Sequence, residues 1–159
     1  MDEIVREAKP ADLTAIYLMG FDAWGEGSSE TDYLKGCESS PKYKRGTWFV
    51  IEGNGNLKSS LITYQFENGV FGIGSISTPK SFRNQGWASK LISSIITQIE
   101  QSHKSPRIFL YSDITPEFYQ RFGFDSLPKI AQRYKSSVCM VKGIRSEEFV
   151  SSDQTPEYF

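Results

Sequence analysis

A short loop of small and polar residues, 83–88 (RNQGWA), joins two segments of opposite character. Residues 70–77 before it are mainly apolar, with β-branched members, and predict a strand. Residues 88–100 after it predict a helix, because apolar side chains recur there at three- and four-residue steps. A loop that leads from a strand into a helix directs several backbone N–H groups and the positive end of the helix dipole to one point. The sequence therefore predicts a phosphate-binding loop.

Three residues of this loop suit an anion. Gly86 lets the backbone approach an anion closely, and Ala88 leaves room beside it. Arg83 adds a fixed positive charge. The preceding segment contains Gly72 and Gly74, but a dinucleotide fingerprint is excluded there because no third glycine and no helix follow at the required spacing.

The composition indicates a single domain with a packed core. The chain has 159 residues, of which 38% are hydrophobic and 14% aromatic. Its net charge of −1 and the lack of a basic stripe argue against a general nucleic-acid binder. Apolar runs are far shorter than the ~20 residues of a membrane helix, and the N-terminus lacks the features of a signal peptide. We therefore expect a soluble, cytoplasmic protein with no nucleic-acid or membrane partner.

The cysteines and the single histidine do not form a metal-binding pattern. Cys37 and Cys139 are far apart, and neither has a second thiol nearby. Cys139 lies in a segment that predicts a buried strand, whereas Cys37 lies in a polar stretch that could be exposed. We therefore expect no bound metal and assign Cys37 no role.

Hydrophobic periodicity and turn residues predict strands and helices in alternation. Strands are expected at 4–8, 47–51, 57–66, 70–77, 107–111, 124–127 and 137–142. Helices are expected after the first strand, around 31–36, at 88–100 and at 115–123. Thr115 is expected to cap the last helix, with Pro116 in its first turn.

A second motif, 118–124 (FYQRFGF), places an aromatic-Tyr pair before a Gly-Phe pair. With the loop Arg-x-x-Gly-x-Ala, in this order and at this distance, it resembles the signatures of the GNAT superfamily of N-acetyltransferases. The resemblance covers about residues 4–143. It implies an α/β (α+β) fold: a central mixed, mostly antiparallel sheet of about seven strands flanked by helices, in which a splayed parallel pair holds CoA. We expect a GNAT domain at 1–143 and a tail at 144–159, either mobile or packed on the domain or on a partner subunit.

The resemblance also implies acetyl-CoA as the co-substrate. In the family, pantetheine lies between the splayed strands like an added strand. Backbone groups of residues 75–78 are therefore expected to bond it, one N–H polarising the thioester carbonyl. The expected CoA-binding residues are Ser75, Ile76, Ser77, Thr78, Arg83, Asn84, Gln85, Gly86, Trp87, Ala88, Ser89 and Ser112.

Tyr119, in the second motif, is the expected general acid. Attack of an amine on a thioester expels a thiolate, whose thiol has a pKa of about 8.5 by analogy with cysteine. A phenol of pKa ~10 close to that sulfur can bond it and supply a proton. Alternatively, Tyr119 only packs its helix on the sheet, although Phe118 can do so instead.

The general base is harder to identify. Many relatives carry a glutamate on the strand before the loop, but residues 70–77 contain no carboxylate and no histidine. Glu26 and Asp113 lie in regions that border the acceptor cleft in the family, so each is a candidate; the alternatives are an exposed loop acid and a turn carboxylate. His103 falls at the far end of the loop helix and is expected at the surface.

These observations predict an N-acetyltransferase in which a primary amine attacks acetyl-CoA directly, in a ternary complex. A covalent cysteine route is disfavoured because neither thiol lies in a matching position. The alternative is a non-catalytic acyl-CoA-binding regulatory module. A small-molecule amine or a protein amine is left open as the acceptor, and so is a monomer or a homodimer.

Overall fold

The computed structural model describes residues 3–159, which form a seven-stranded sheet with helices. The strands are β1 (Ile4–Glu7), β2 (Thr47–Gly53), β3 (Asn56–Gln65), β4 (Val70–Ser77), β5 (Arg107–Ser112), β6 (Asp125–Ser126) and β7 (Val138–Lys142). The α-helices are α1 (Leu13–Met19), α2 (Phe21–Trp24), α3 (Glu30–Ser39), α4 (Pro41–Arg45), α5 (Trp87–Ser102) and α6 (Glu117–Gln120). The order of strands in the sheet is β1-β2-β3-β4-β5-β7-β6.

The sheet is mixed, because one of its pairs is parallel. Strands β4 and β5 pair in parallel through Val70↔Arg107, Phe71↔Ile108 and Gly72↔Phe109. The pairs β1–β2, β2–β3, β5–β7 and β6–β7 are antiparallel. The parallel ladder ends at Gly72, although β4 continues to Ser77. A mixed sheet with a short parallel pair confirms the predicted fold class.

The chain forms two compact units. The first comprises the residues up to Tyr64 together with Ser75–Ile96, and the second comprises Gln65–Gly74 and Thr97–Phe159. In the first unit, the apolar stripe of α5 is buried together with β2 and β3 side chains: Val50, Ile51, Leu61, Ile62, Leu91, Ile92, Ile95 and Ile96. The buried core of the second unit includes Phe71, Ile73, Ile108, Phe109, Leu110, Phe124, Met140 and Val141.

The region before β2 contains more helix than the sequence predicts. One short helix was expected there, but the structure has α2, α3 and α4. Ser29 and Ser40 start α3 and α4, because their hydroxyls accept hydrogen bonds from the backbone N–H groups of Asp32 and Tyr43. Cys37, on α3, is buried rather than exposed, and burial raises the pKa of its thiol.

The helix of the second motif is shorter than expected. It spans only Glu117–Gln120, and no side chain caps it. The expected cap by the Thr115 side chain is therefore wrong; instead the Phe118 N–H donates to the Thr115 carbonyl at 3.3 Å. The strand expected at 124–127 is reduced to Asp125–Ser126.

Residues 144–159 pack within the second unit. Phe149 lies against Phe109, with ring centroids 5.8 Å apart, and Phe159 is buried between Phe66 and Tyr111. The Tyr111 hydroxyl donates to the Pro156 carbonyl. The division into a domain at 1–143 and a tail at 144–159 stays a prediction.

Gly72 packs directly against the ring of Phe159. A Cβ at Gly72 would lie 2.7 Å from two ring carbons of Phe159, so Gly72→Ala must displace the ring. We expect a loss of about 1–3 kcal/mol in the free energy of unfolding, measured with urea. Gly36→Ala is the matched control, because Gly36 lies inside α3 with no atom within 4 Å of its Cβ position. It should stabilise the protein by up to about 1 kcal/mol. An unchanged stability of Gly72→Ala would contradict the packing of Phe159.

Candidate active site

The last part of β4 contains a strained residue. Ser75 has a φ of 44°, which non-glycine residues rarely adopt. Its side chain lies beside Tyr43, whose ring stacks on Tyr17 at 5.8 Å between centroids. Burial raises the pKa of Tyr43, so this hydroxyl stays protonated at neutral pH. Backbone strain of this kind persists only where the surroundings hold it, and it is often found at functional sites.

Residues Ser77 and Thr78 are tied to β3. The Ser59 hydroxyl donates to the Ser77 carbonyl at 2.8 Å, and it lies 3.0 Å from the Thr78 hydroxyl. The Ser77 hydroxyl lies 3.4 Å from that of Ser60. The side chains and one carbonyl of this pair therefore already have partners. Hydrogen bonds from the backbone of residues 75–78, Ile76 included, to pantetheine stay a prediction.

The loop between β4 and α5 has open space around Gly86. Gly86 has a φ of 87°, and no atom lies within 4 Å of the position that its Cβ would take. The Lys90 N–H donates to the Gly86 carbonyl at 3.0 Å, so α5 begins at once, at Trp87. An anion can therefore approach the backbone at the start of a long helix. This geometry fits a phosphate group.

Other loop residues stabilise the loop itself. The Gln85 amide donates to the Ser81 carbonyl at 3.1 Å and accepts from the Trp87 indole at 3.3 Å. Asn84 also has a positive φ, 61°, which asparagine tolerates better than most residues. Ala88 is half-buried in the first turn of α5. Ser89, one position later, lines a cavity of about 520 Å³ together with residues of β1 and β2.

Arg83 does not direct its charge into open space. Its guanidinium binds both oxygens of Asp22, at 2.8 and 2.9 Å, and it donates to the Thr78 carbonyl at 2.8 Å. The hydrogen bonds from Arg83 lower the pKa of Asp22. Arg83 thus holds the end of β4 and α2 to the loop, and its charge is compensated. A direct contact of Arg83 with a phosphate stays a prediction.

Tyr119 is a buried phenol in the second unit. Its side chain is only 8% exposed, and Phe118 packs edge-on against its ring. Burial raises the pKa of Tyr119 to about 12, and the negative charge of Asp113 acts in the same direction. The hydroxyl therefore keeps its proton throughout the neutral range, as a proton donor must.

Asp113 and Ser112 have hydrogen-bond partners that the sequence did not predict. Asp113 is exposed, and its carboxylate accepts a 2.8 Å hydrogen bond from the Tyr158 hydroxyl. Ser112 is buried, and its hydroxyl donates to the Ile114 carbonyl at 2.7 Å. Ser112 therefore stabilises the turn between β5 and α6. Tyr158 was missed because it lies 45 residues from Asp113, and no local pattern connects them.

Glu26 differs from Asp113 in its surroundings. It is exposed in the turn after α2, and its carboxylate has no hydrogen bond or ion pair with any of residues 3–159. The imidazole of His103 is at the surface, with its ring edge-on to Phe71 at 4.6 Å between centroids.

The expected CoA-binding and catalytic residues are divided between the two units. Residues 75–78 and 83–89 belong to the first unit, and Ser112, Asp113 and Tyr119 belong to the second.

A family model described as "Acetyltransferase (GNAT) family" matches residues 5–124, which is three quarters of the chain and includes both motifs. The chain belongs to the GNAT acetyltransferase family. The match confirms the family that the loop and the tyrosine motif predicted. No curated protein matches the sequence significantly.

Solved GNAT structures share the fold at low sequence identity. The ribosomal-protein-S18-alanine N-acetyltransferase from Escherichia coli is 17% identical, with a TM-score of 0.67 over 93% of this chain and 99% of that one. A GNAT acetyltransferase from Brucella melitensis, solved in complex with acetyl-CoA, is 18% identical, with a TM-score of 0.60 over 87% and 86%. N-acetylglutamate synthase from Neisseria gonorrhoeae, solved with coenzyme A and N-acetyl-glutamate, is 19% identical, with a TM-score of 0.65 over 91% of this chain and 36% of that one.

None of the helices within residues 3–159 has both the length and the apolar character that a membrane crossing needs. Within the same range, no three His, Cys, Asp or Glu side chains come together in a way that could hold a metal ion.

Proposed function

We propose that this GNAT protein transfers the acetyl group of acetyl-CoA to a primary amine by direct attack in a ternary complex. The observation that supports it most is the loop at Gly86, whose open, left-handed backbone at the start of α5 fits a phosphate group. Family membership supports acyl transfer, and the structures of two relatives contain acetyl-CoA or coenzyme A. A cytoplasmic location and the oligomeric state stay predictions.

Residues 83–89 would bind the phosphates of the co-substrate, and backbone groups of residues 75–78 would bind its pantetheine arm. Acetyl-CoA supplies a thioester, whose carbonyl carbon is open to attack by an amine. Tyr119 would donate its proton to the departing sulfur, because its pKa of about 12 keeps the phenol protonated. Phe118 packs against the Tyr119 ring and limits its rotation.

The need for a base depends on the acceptor. A lysine-type amine of pKa ~10.4 is neutral in only about one molecule in a few thousand at pH 7, whereas about a tenth or more of an α-amine is neutral. Glu26 is the better candidate base, since its carboxylate has no partner among residues 3–159 while Asp113 already accepts from Tyr158. The turn after α2 also has glycines at 25 and 27, which allow it to move over a substrate.

The second candidate function is a non-catalytic acyl-CoA-binding module. One observation favours it: β4 contains no carboxylate and no histidine, although many relatives carry a base on this strand. The protonated, buried Tyr119 favours catalysis, because binding alone has no use for a proton donor.

The loop assignment predicts the effect of Gly86→Val. A β-branched residue is strained at a φ of 87°, and its side chain would fill the space that the pyrophosphate needs. We expect acetyl-CoA binding to be lost in calorimetry. Gly55→Val is the control, because Gly55 has a φ of 80° and equally open surroundings but lies in the β2–β3 turn. Both variants should lose similar stability, and only Gly55→Val should bind. Unchanged affinity in folded Gly86→Val would remove the loop from the site.

The acid role predicts the effect of Tyr119→Phe. The substitution keeps the ring but deletes the proton, so kcat should fall by about 10²–10⁴-fold while KM for acetyl-CoA changes little. Because burial raises the pKa of Tyr119 to about 12, wild-type kcat should not decline between about pH 7 and about pH 10 through loss of this proton. Tyr64→Phe is the control, since Tyr64 is equally buried and its pKa is also raised by burial. Equal kcat values for Tyr119→Phe and wild type across this range would show that the hydroxyl is structural.

The proposal as a whole is tested by the release of CoA with a panel of α-amines, polyamines and peptide lysines. With a lysine-type acceptor, kcat/KM of wild type should rise with pH to a plateau. Glu26→Gln should lose most activity at neutral pH and regain part of it at alkaline pH, where the amine is neutral without help. Glu30→Gln, another exposed acid of the same region, should match wild type, and Asp113→Asn tests the other carboxylate. If acetyl-CoA binds but no amine releases CoA at any pH, the binding module is the correct function.

A further inference from the structure

Lys58, on β3, is a buried lysine. Only 8% of it is exposed, although lysine is almost never buried without a partner of opposite charge. Nothing in the sequence motifs singled it out. A buried cation next to a candidate anion site therefore needs a physical reason.

The ammonium of Lys58 lies between two aromatic rings that flank the loop. It is 3.6 Å from the centroid of Phe82, the residue before Arg83, and 5.3 Å from the centroid of Trp87, the residue after Gly86. Cation–π attraction stabilises this arrangement. Gly53, on β2, leaves the space for it, because a Cβ there would lie 2.6 Å from the Trp87 ring and 3.3 Å from the Lys58 stem.

Among residues 3–159, no carboxylate compensates the charge of Lys58 at the buried side of the loop. Arg83 is paired with Asp22 at 2.8 Å, and Lys90, which also lies near the Trp87 ring, is paired with Glu3 at 2.6 Å. Lys58 has no ion pair and no side-chain hydrogen bond with any of residues 3–159. Lys80, in the turn just before the loop, is exposed, so water and salt screen its charge. A buried charge is screened much less.

We propose that Lys58 is a phosphate-binding residue of this site, whose ammonium supplies positive charge behind the loop at 83–88. It acts together with the N–H groups at the start of α5, and Phe82 and Trp87 hold it in place. The identity of the ligand, the phosphates of acetyl-CoA, rests on the proposed function. The role of Lys58 toward a phosphate anion does not.

A purely structural role for Lys58 makes different predictions from a charge role. Lys58→Met keeps a long unbranched stem in the same space and removes only the charge. If the lysine serves only to pack the loop, the variant should lose stability and should bind every ligand more weakly. If its charge attracts phosphate, stability should be unchanged or higher, because an unpaired buried charge opposes folding, and only phosphate-bearing ligands should be affected.

The experiment is calorimetry with three ligands: acetyl-CoA, S-acetylpantetheine, which has no phosphate, and inorganic pyrophosphate. For Lys58→Met we expect the Kd of acetyl-CoA and of pyrophosphate to rise about tenfold, with the Kd of S-acetylpantetheine within about twofold of wild type. Lys58→Arg should retain most of the affinity, since it keeps the charge. Lys90→Met is the matched control, because Lys90 lies near the same ring but is exposed and paired, and it should match wild type. The salt dependence of acetyl-CoA affinity should be weaker in Lys58→Met than in wild type.

The remaining outcomes distinguish the phosphate-binding role of Lys58 from the proposed acetyltransferase function. If Lys58→Met binds acetyl-CoA and pyrophosphate like wild type, or loses S-acetylpantetheine to the same degree, the charge role is overturned. If wild type does not bind acetyl-CoA but binds pyrophosphate in a Lys58-dependent way, the proposed function fails and the phosphate-binding residue stands. If wild type binds neither, both are wrong.

Discussion

The segment that joins β4 to α5 keeps its shape against the preference of its own backbone. Ser75 and Asn84 both have positive φ angles, which cost L-residues on the order of 1 kcal/mol each. Contacts within the first unit hold this conformation: Tyr43 lies beside Ser75, the Ser59 hydroxyl donates to the Ser77 carbonyl, and Arg83 donates to the Thr78 carbonyl and to Asp22. The direction of the backbone N–H groups at the start of α5 follows from this bent segment. Side chains outside the loop motif, together with Arg83, therefore determine the geometry on which the candidate site depends.

The charges near the loop have separate tasks. The family motif draws attention to Arg83, but its guanidinium is engaged by Asp22 and works as a structural tie. Lys58, outside the motif, has an ammonium with which no carboxylate of residues 3–159 is paired. The sequence motif alone would assign ligand binding to Arg83 and would leave Lys58 without a role. Burial and partners are the properties that distinguish a cation that stabilises the fold from one that can attract a ligand.

The sequence predicted the features that short-range patterns determine. The periodicity of α5 and the strand–loop–helix order around Gly86 were identified from spacing alone, and the structure places α5 at Trp87–Ser102. The hydrogen bond from the Tyr158 hydroxyl to Asp113 could not be predicted from the sequence. The two residues are 45 positions apart, and their contact depends on how the chain packs. The Lys58 environment was missed for the same reason, since its aromatic partners come from another part of the chain. The helices between residues 21 and 45 were under-predicted because caps at serine, rather than apolar periodicity, start two of them.

Each of the two units contains one buried cysteine, whose reaction with a thiol reagent reports on local opening. Cys37 belongs to the first unit and Cys139 to the second, and both are buried, free thiols. Burial raises the pKa of both, that of Cys139 to about 12, so that little thiolate forms at neutral pH. An alkylating reagent can reach either sulfur only after its unit has opened. The rate at which each thiol is labelled therefore measures how often the structure around that thiol opens, with no engineered probe.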